Sequence, residues 1–465
     1  MSSKQASEIH DLRSALDVLE EGGQLHGIDR PVSLDCELAA VAVELENRGM
    51  GAALFTHPKG YQCEGNDIAV VAGVLSHPKR AGLVLGCEPS DLATFLMDAM
   101  DRPIPPAERR DAPFLENVLR DKADLNRLPI PRHTAKDGGE RDGRFISGGV
   151  VFARDPETGR ANASFQRFQF QTPRRMGINI NNWRHLLTYY EKAEARNQPL
   201  PIAIALGFDP VVCMAAGIRT EIDEMEYAGA LRGRPLEVTP APETGIPVPT
   251  GTEIVIEGDI LPHRREAEGP LAEFTGHYSG IYQCPVFEVR AISHRGDPIF
   301  QTIVPASLEH RYVGNSLPRE PVLYRFARHV SRGVRNVHLP PYGSGFLAVI
   351  SMRADHPGQP KNVALAALTS HVNIKVVLVV DDDVDIYNPQ EVLWCLSTRV
   401  DAKRDIFTVP YAQGHEMDPS AEPVGITTKV GIDATLQTDG PGGEREALEK
   451  VSYTSMDLSK YLGNT

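Results

Sequence analysis

From about Asn126 to Ser307 the apolar residues come in short bursts, ISGGVVFARD, ANASFQRFQFQ, TEIVIEGDIL and CPVFEVRAISHRGDPIFQTIV, separated by glycine and proline turns. Bursts of this length, rich in β-branched and aromatic residues, predict strands of a barrel or sandwich, interrupted by one helical run, NNWRHLLTYYEKAEARN. The flanks read differently. Ahead of this stretch, DLRSALDVLEEGG carries Leu12, Leu16 and Leu19 on one helical face, with Asp11 placed to cap and Gly22-Gly23 to stop it. Apolar bursts at GAALFTH and DIAVVAGVL and the Ser-capped run SDLATFLMDAM follow, so residues 1–110 read as a small α/β unit closed by the proline-rich RPIPPAERRDAP. From Glu320 onward helices alternate with the strands GFLAVISMR and IKVVLVVDDD, which predicts a parallel sheet. The helix after DDDVD has Asn388 to cap it, Pro389 at its first position and Glu391 three residues beyond the cap. The chain is therefore read as an α+β / α/β multidomain protein. Its parts are the N-terminal unit (1–110), a β-rich central domain (111–307), a C-terminal α/β domain (320–439) and a tail (440–465) with a short helix at EREALEKV.

At about 150 residues per domain, 465 residues suffice for two or three cores. A formal charge of -14 argues against nucleic acid or anionic membranes as partners, so any bound anion needs a local capture site. The six cysteines, Cys36, Cys63, Cys87, Cys213, Cys284 and Cys395, show no CxxC or CxxH spacing, which argues against a zinc cluster and suits a reduced, cytoplasmic setting. The N-terminus lacks the uninterrupted apolar core of a signal peptide, and no apolar run approaches the roughly 18 residues of a membrane span. GSGF at 343–346 is too short for a dinucleotide fingerprint, and GxGxxG, GxSxG and GxxxxGK patterns are lacking.

The stretch EAEGPLAEFTGHYSG raises a question of geometry, because Glu268 and Glu273 stand five positions apart. On a helix they would be rotated by about 140°, and on a strand they would face opposite ways. Only irregular backbone around Gly269-Pro270 would bring them together, and on spacing alone solvated loop acids are the better reading. In NASFQRFQFQ, strand alternation puts Ser164 and Gln166 on one face and Phe165 and Arg167 on the other. Arg167 is then an exposed edge residue or a carboxylate clamp, and the pattern favours the edge. Near a helix start, His185 reads as a cap or packing residue. Glu224, in the acid-rich TEIDEMEYAGALRG, reads as part of a solvated face. DDDVD, residues 381–385, lacks the glycine and distant glutamate of a calcium loop and reads as a strand-end loop.

Taken in order, ALFTHPKGY, DLNRLPIPRH, DGRFISGGVV, the N-x-S-x-x-R of Asn162 to Arg167, DEMEYAGALRG, EGPLAEFTGHY, KVVLVVDDDVDIYNPQEVLWCLSTR and VGIDAT give the chain an almost end-to-end pattern. That pattern resembles the UbiD-type decarboxylases, which use prenylated FMN and include ferulic acid, vanillate and protocatechuate decarboxylases. The resemblance implies a split β-barrel that binds flavin and a C-terminal domain used for oligomer contacts, with a dimer or a larger homo-oligomer expected. It implies a divalent metal, manganese or magnesium, on Asn162, His185 and Glu224, holding the flavin phosphate, with potassium beside it. Ser147, Ser164, Phe165, Gln166, Arg167, His185 and Lys375 would contact the cofactor, which a flavin prenyltransferase would supply. By the same resemblance Arg167, paired by Glu268, would orient a substrate carboxylate and Glu273 would protonate the carbon that loses carbon dioxide. Arg184, Phe274, His277 and Tyr282 are the pocket candidates; Phe165-Gln166 and Phe274 depart from the family's commoner residues. The expected activity is reversible, non-oxidative decarboxylation of an aromatic, heteroaromatic or α,β-unsaturated carboxylic acid. The alternatives are a biosynthetic decarboxylase of a quinone precursor or secondary-metabolite intermediate, and a catalytically silent flavin-binding or assembly protein. Which acid is turned over, and in which direction, is not written in the sequence.

Overall fold

The computed structural model describes residues 8–62, 67–180, 185–218 and 222–436, together with 450, 451, 454 and 456. All of the expected tail helix except Lys450 and Val451 lies outside these residues, as do the first four positions of NNWRHLLTYYEKAEARN.

The N-terminal helix, Leu12–Glu21, starts where its local chemistry dictates. The Asp11 carboxylate accepts from Ser14 N at 2.9 Å while Asp11 N donates to Ser14 Oγ at 3.1 Å, a reciprocal box that satisfies the first free donors. Leu12, Leu16 and Leu19 are buried beneath it. The adjoining four-stranded sheet runs Leu25–Ile28, Ala52–Phe55, Ala69–Ala72, Ile299–Gln301. Its last strand comes from far along the chain and pairs parallel with Ala69–Ala72.

The central sheet places the site. Its strands run in the order Ala161–Phe165, Val150–Arg154, Leu200–Leu206, Ile254–Glu268, Tyr282–His294, Arg175–Asn179, Arg167–Thr172, Phe145–Ile146, with Asn117–Leu119 added on Tyr282–His294. Ala161–Phe165 and Arg167–Thr172 lie near opposite ends of this order, yet only Gln166 separates them in the chain. A single residue spans only about 3.3 Å, so the sheet must curl until its two margins nearly meet at Gln166, giving a half-barrel. Alternate residues line the inside: Asn162, Ser164 and Gln166 are buried on one side of this seam, as the alternation predicts.

The C-terminal sheet has the order Val334–His338, Leu347–Met352, Val376–Asp381, Ile426–Ala434, Ile406–Gln413. Its inner pairings are parallel, as expected, but both outer pairings are antiparallel. The difference follows from the connections, since segments 339–346 and 414–425 carry no α-helix to return the chain for a parallel crossover. VVLVV is apolar throughout because Val377 and Val379 join the core under the helices Leu317–Val330 and Gln359–Ser370, while Leu378 and Val380 pack with Val392 and Cys395 of Pro389–Arg399. DDDVD is a strand-end loop: Asp381 and Asp383 pair with Arg399, and Asn388 caps the helix through Gln390 N at 3.0 Å. Glu391 reaches back to Asp385 N at 2.8 Å rather than to the cap residue. Among the described residues no helix is long and apolar enough to cross a membrane, and the five described cysteines are unpaired.

Asp209 caps the helix Pro210–Gly217 and forms a buried ion pair with Arg232, the last residue of Glu224–Arg232, at 2.5 Å. Arg232 also donates to Val84 O at 2.6 Å, tying this helical pair to the N-terminal unit. Arg232→Met would strand the Asp209 charge out of water, and a loss of about 3–5 kcal/mol is expected in chemical or thermal unfolding.

Candidate active site

Arg167 opens a strand of the half-barrel, Glu268 closes the long strand beginning at Ile254, and Glu273 sits in the turn that follows. The three side chains meet. Arg167 Nε and Nη2 donate to the two oxygens of Glu268, each at 2.8 Å, and Nη1 donates to Glu273 Oε1. Glu268 is fully buried and also accepts from Asn179 Nδ2 at 3.1 Å, with Cys284 Sγ at 3.9 Å. The edge reading of Arg167 and the loop-acid reading of the glutamates are therefore both corrected: these are inward-facing groups with side-chain exposures of 12% for Arg167 and 11% for Glu273.

Gly269 makes the convergence possible. Its φ of +91° lies where a side chain is strained, and a Cβ there would stand 2.5 Å from Gly280 O. The Gly269 N–H donates to Gln169 Oε1 at 2.8 Å, and its carbonyl accepts from Arg141. Beyond it the turn is pinned to the preceding loop, through Gly138 N to Pro270 O at 2.8 Å and Ala272 N to Asp137 Oδ1 at 3.2 Å.

Burial pushes the Glu273 carboxyl above the ordinary glutamate range; the Arg167 cation opposes this and the neighbouring Glu268 charge adds to it. Burial also disfavours the Arg167 cation, but the two carboxylates outweigh it and hold its pKa up. Burial, then Glu268, push the Cys284 thiol up to about 12, which leaves it a neutral neighbour. The arrangement thus joins one firmly held cation to two unequal carboxyls, Glu268 saturated with donors and Glu273 shifted by burial toward its neutral form.

A second polar group lies along the seam. Gln166 Nε2 donates to Ser164 Oγ at 3.3 Å, Ser164 Oγ to Asn162 Oδ1 at 3.3 Å, and Asn162 Nδ2 to Glu224 Oε1 at 3.0 Å. Glu224 is buried, contrary to the solvated reading, and burial pushes its carboxyl up to about 7. Gln166 Oε1 and Tyr189 Oη are buried without a hydrogen-bond partner among the described residues. The His185 ring stacks on Tyr189 at 6.4 Å, and Glu224 is close enough to raise the Tyr189 pKa further after burial has done most of it. Hard oxygen donors, one imidazole and orphaned polar atoms fit a divalent cation with a polar ligand. No group of three His, Cys, Asp or Glu gathers anywhere among the described residues, so such a site depends on the asparagine. Sequence reasoning missed Tyr189, whose only signal is its position four residues after His185 on one helical face.

The remaining candidates are dispersed. Ser147 Oγ donates to Ile303 O at 2.7 Å and touches His133 and Thr302, while Phe165 packs partly buried against the core. Lys375 is not gathered with the seam residues; its ammonium binds Asp418 at 2.7 Å and Ser420. Phe274 is buried among the rings of His310, Phe346 and His415 at 5.5–6.4 Å. His277 is exposed and turned onto Thr275 O at 3.1 Å, Tyr282 is exposed opposite Glu268, and Arg184 lies outside the described residues.

Three family models cover most of the chain: the N-terminal domain of 3-octaprenyl-4-hydroxybenzoate carboxy-lyase at 16–100, its Rift-related domain at 106–308 and its C-terminal domain at 313–434. The chain belongs to the UbiD family of carboxy-lyases. HmfF, a UbiD-class enzyme from Pelotomaculum thermopropionicum solved with FMN, is 38% identical with a TM-score of 0.90, covering 97% of this chain and 100% of that one. An evolved dimeric form of HmfF, solved with prFMN, has a TM-score of 0.86 at 35% identity, covering 98% and 100% of the two chains. Anhydromevalonate phosphate decarboxylase from Methanothermobacter thermautotrophicus is 38% identical over 390 residues, 83% of this chain and 89% of the relative. Phenolic acid decarboxylase from Escherichia coli O157:H7 is 33% identical over 446 residues, 91% and 92% of the two. This UbiD protein is thus a decarboxylase by family.

Because Gly269 brings Glu268 and Glu273 of this UbiD protein onto one arginine, Gly269→Ala is expected to destabilise the fold by about 1–3 kcal/mol and to lower turnover at least as severely as it lowers Tm. Calorimetry and a carbon dioxide release assay on the same preparation test this.

Proposed function

We propose that the protein catalyses reversible, non-oxidative decarboxylation of an aromatic, heteroaromatic or α,β-unsaturated carboxylic acid with prenylated FMN. The observation that carries the reading is the buried arginine shared by two glutamates. Of the five N–H donors of an arginine, four are engaged by Glu268, Glu273 and Ser279, which leaves one at Nη1 for an incoming carboxylate. Arg167 orients that carboxylate, and Glu268 holds the guanidinium in place. As carbon dioxide leaves, Glu273 gives its proton to the vacated carbon and later recovers one from solvent. Its raised pKa supports this role, since the donor must be neutral for part of the cycle.

Bound prenylated FMN supplies the electron sink that carbon dioxide loss from an sp2 carbon requires and that no side chain offers. Asn162, His185 and Glu224 would hold manganese or magnesium, offsetting the flavin phosphate charge in an acidic chain, with Ser147, Ser164, Phe165 and Gln166 along the cofactor and potassium close by. A flavin prenyltransferase supplies the cofactor. The exposed Leu393, Trp394, Tyr411 and Val424 support homo-oligomer contacts through the C-terminal domain, a dimer being the simplest. A second reading, a biosynthetic enzyme acting on a phosphate-bearing acid, is favoured by the likeness to the anhydromevalonate phosphate enzyme.

Coexpression with a flavin prenyltransferase should yield protein carrying flavin of prenylated mass with a divalent metal, and copurification of neither would sink the proposal. A screen of benzoates, furan, pyrrole and indole carboxylates, cinnamates and a phosphorylated enoic acid separates the two substrate readings. Glu273→Gln should lower carbon dioxide release by about 10² or more while the flavin spectrum survives; retained turnover would remove the residue from its role. Since Glu273 must be protonated to act, kcat should hold at low pH and fall as pH rises through its raised pKa. A pH profile without that alkaline fall would contradict the assignment.

A further inference from the structure

The turn that carries Glu273 is held from outside by a residue that belongs neither to the arginine cluster nor to the seam. Glu273 N donates to His277 O and Gly276 N to Glu273 O, both at 2.8 Å, so residues 273–277 fold back tightly. In the middle of the turn Arg311 Nε donates to Phe274 O at 2.9 Å. The guanidinium also crowds the backbone at Gly276, whose φ is +82°, since a Cβ there would meet Arg311 Nη2 at 3.2 Å. Phe274 follows Glu273 directly in the chain, so a hold on the Phe274 carbonyl restrains the turn from which the Glu273 carboxyl projects. The ring of Phe274, wedged among His310, Phe346 and His415, removes the remaining freedom of that residue.

Arg311 is itself held by a short helix, Leu308–Arg311, that is fastened at its other side to the N-terminal unit. The buried Glu309 carboxylate accepts from Gly73 N and Leu75 N at 2.8 Å each, and Glu46 accepts from Leu308 N at 2.9 Å. Three polar contacts thus fix one turn of helix, and its last residue grips the carbonyl next to the proton donor.

We propose that Arg311 is a positioning residue for the decarboxylation: by holding the Phe274 carbonyl it fixes the 273–277 turn from which the Glu273 carboxyl is aimed, and Glu309 transmits to it the placement of the N-terminal unit. The proposal rests on Glu273 being the proton donor. A misplacement of about 1 Å at a reacting group costs on the order of 10²-fold in rate. Loss of the clamp should therefore appear in kcat rather than KM.

The test uses flavin-loaded enzyme and any acid it turns over, comparing Arg311→Met, Arg311→Lys and Glu273→Gln. Arg311→Met is expected to lower kcat about tenfold or more, with KM within about twofold and the bound-flavin spectrum unchanged. Arg311→Lys, which keeps an N–H donor for the carbonyl, is expected to recover most of this, ending about threefold below wild type. A kcat for Arg311→Met within about twofold of wild type, or a loss confined to KM, overturns the proposal. If Arg311→Met does not fold, the lysine variant decides, a kcat equal to wild type overturning the idea and a reduced kcat at unchanged KM supporting it. If Glu273→Gln retains turnover, the donor assignment falls and this proposal with it; if only Glu273→Gln is inactive while both Arg311 variants match wild type, the donor stands and the clamp does not.

Discussion

A guanidinium taken nearly out of water at Arg167 is the constraint on which the rest of the centre depends. Desolvating one cation costs several kcal/mol, and it is tolerated only because two carboxylates meet it with good geometry. Glu268 can do so because it ends a strand that pairs through Tyr282 with the other half of a long hairpin. Asn179 can join because it stands directly across the ladder from Arg167. Sheet curl, hairpin register and the conformation of Gly269 therefore answer to one charge, and the asymmetry between the two glutamates follows from how many donors each receives.

The buried histidines of the surrounding walls are kept out of the acid–base chemistry. Burial pushes His133 down to about 3, and His310 and His415 down to about 4, so all three rings are neutral at ordinary pH. For His310 the positive charges of Arg311 and Arg167 push the same way. Neutral imidazoles pack against Phe274 or bond to hydroxyls without competing for the proton that Glu273 carries.

Local chemistry was legible in the sequence, and long-range chemistry was not. Asp11 and Asn388 cap the helices expected of them because a cap needs only the next three residues. The alternation through Asn162, Ser164 and Gln166 was readable because strand period is fixed by the backbone. Spacing misjudged Glu268, Glu273 and Arg167 because their meeting spans 101 and 106 residues and turns on one glycine's φ. Glu224 looked solvated for the same reason, its partners Asn162 and Ala163 lying 62 and 61 residues away. Only the resemblance across the whole chain brought these residues together before the fold did. The antiparallel margins of the C-terminal sheet escaped notice because they depend on what a connection lacks.

The strand Ile299–Gln301 has a bearing on how the chain can be divided. It leaves the half-barrel and completes the sheet of the N-terminal unit along Ala69–Ala72. A fragment cut near residue 110 would lose that margin, baring the backbone donors and acceptors of Ala69–Ala72 to any passing strand. The N-terminal unit is therefore finished only when residue 301 has been made, so during synthesis its sheet stays incomplete until almost two thirds of the 465 residues have emerged.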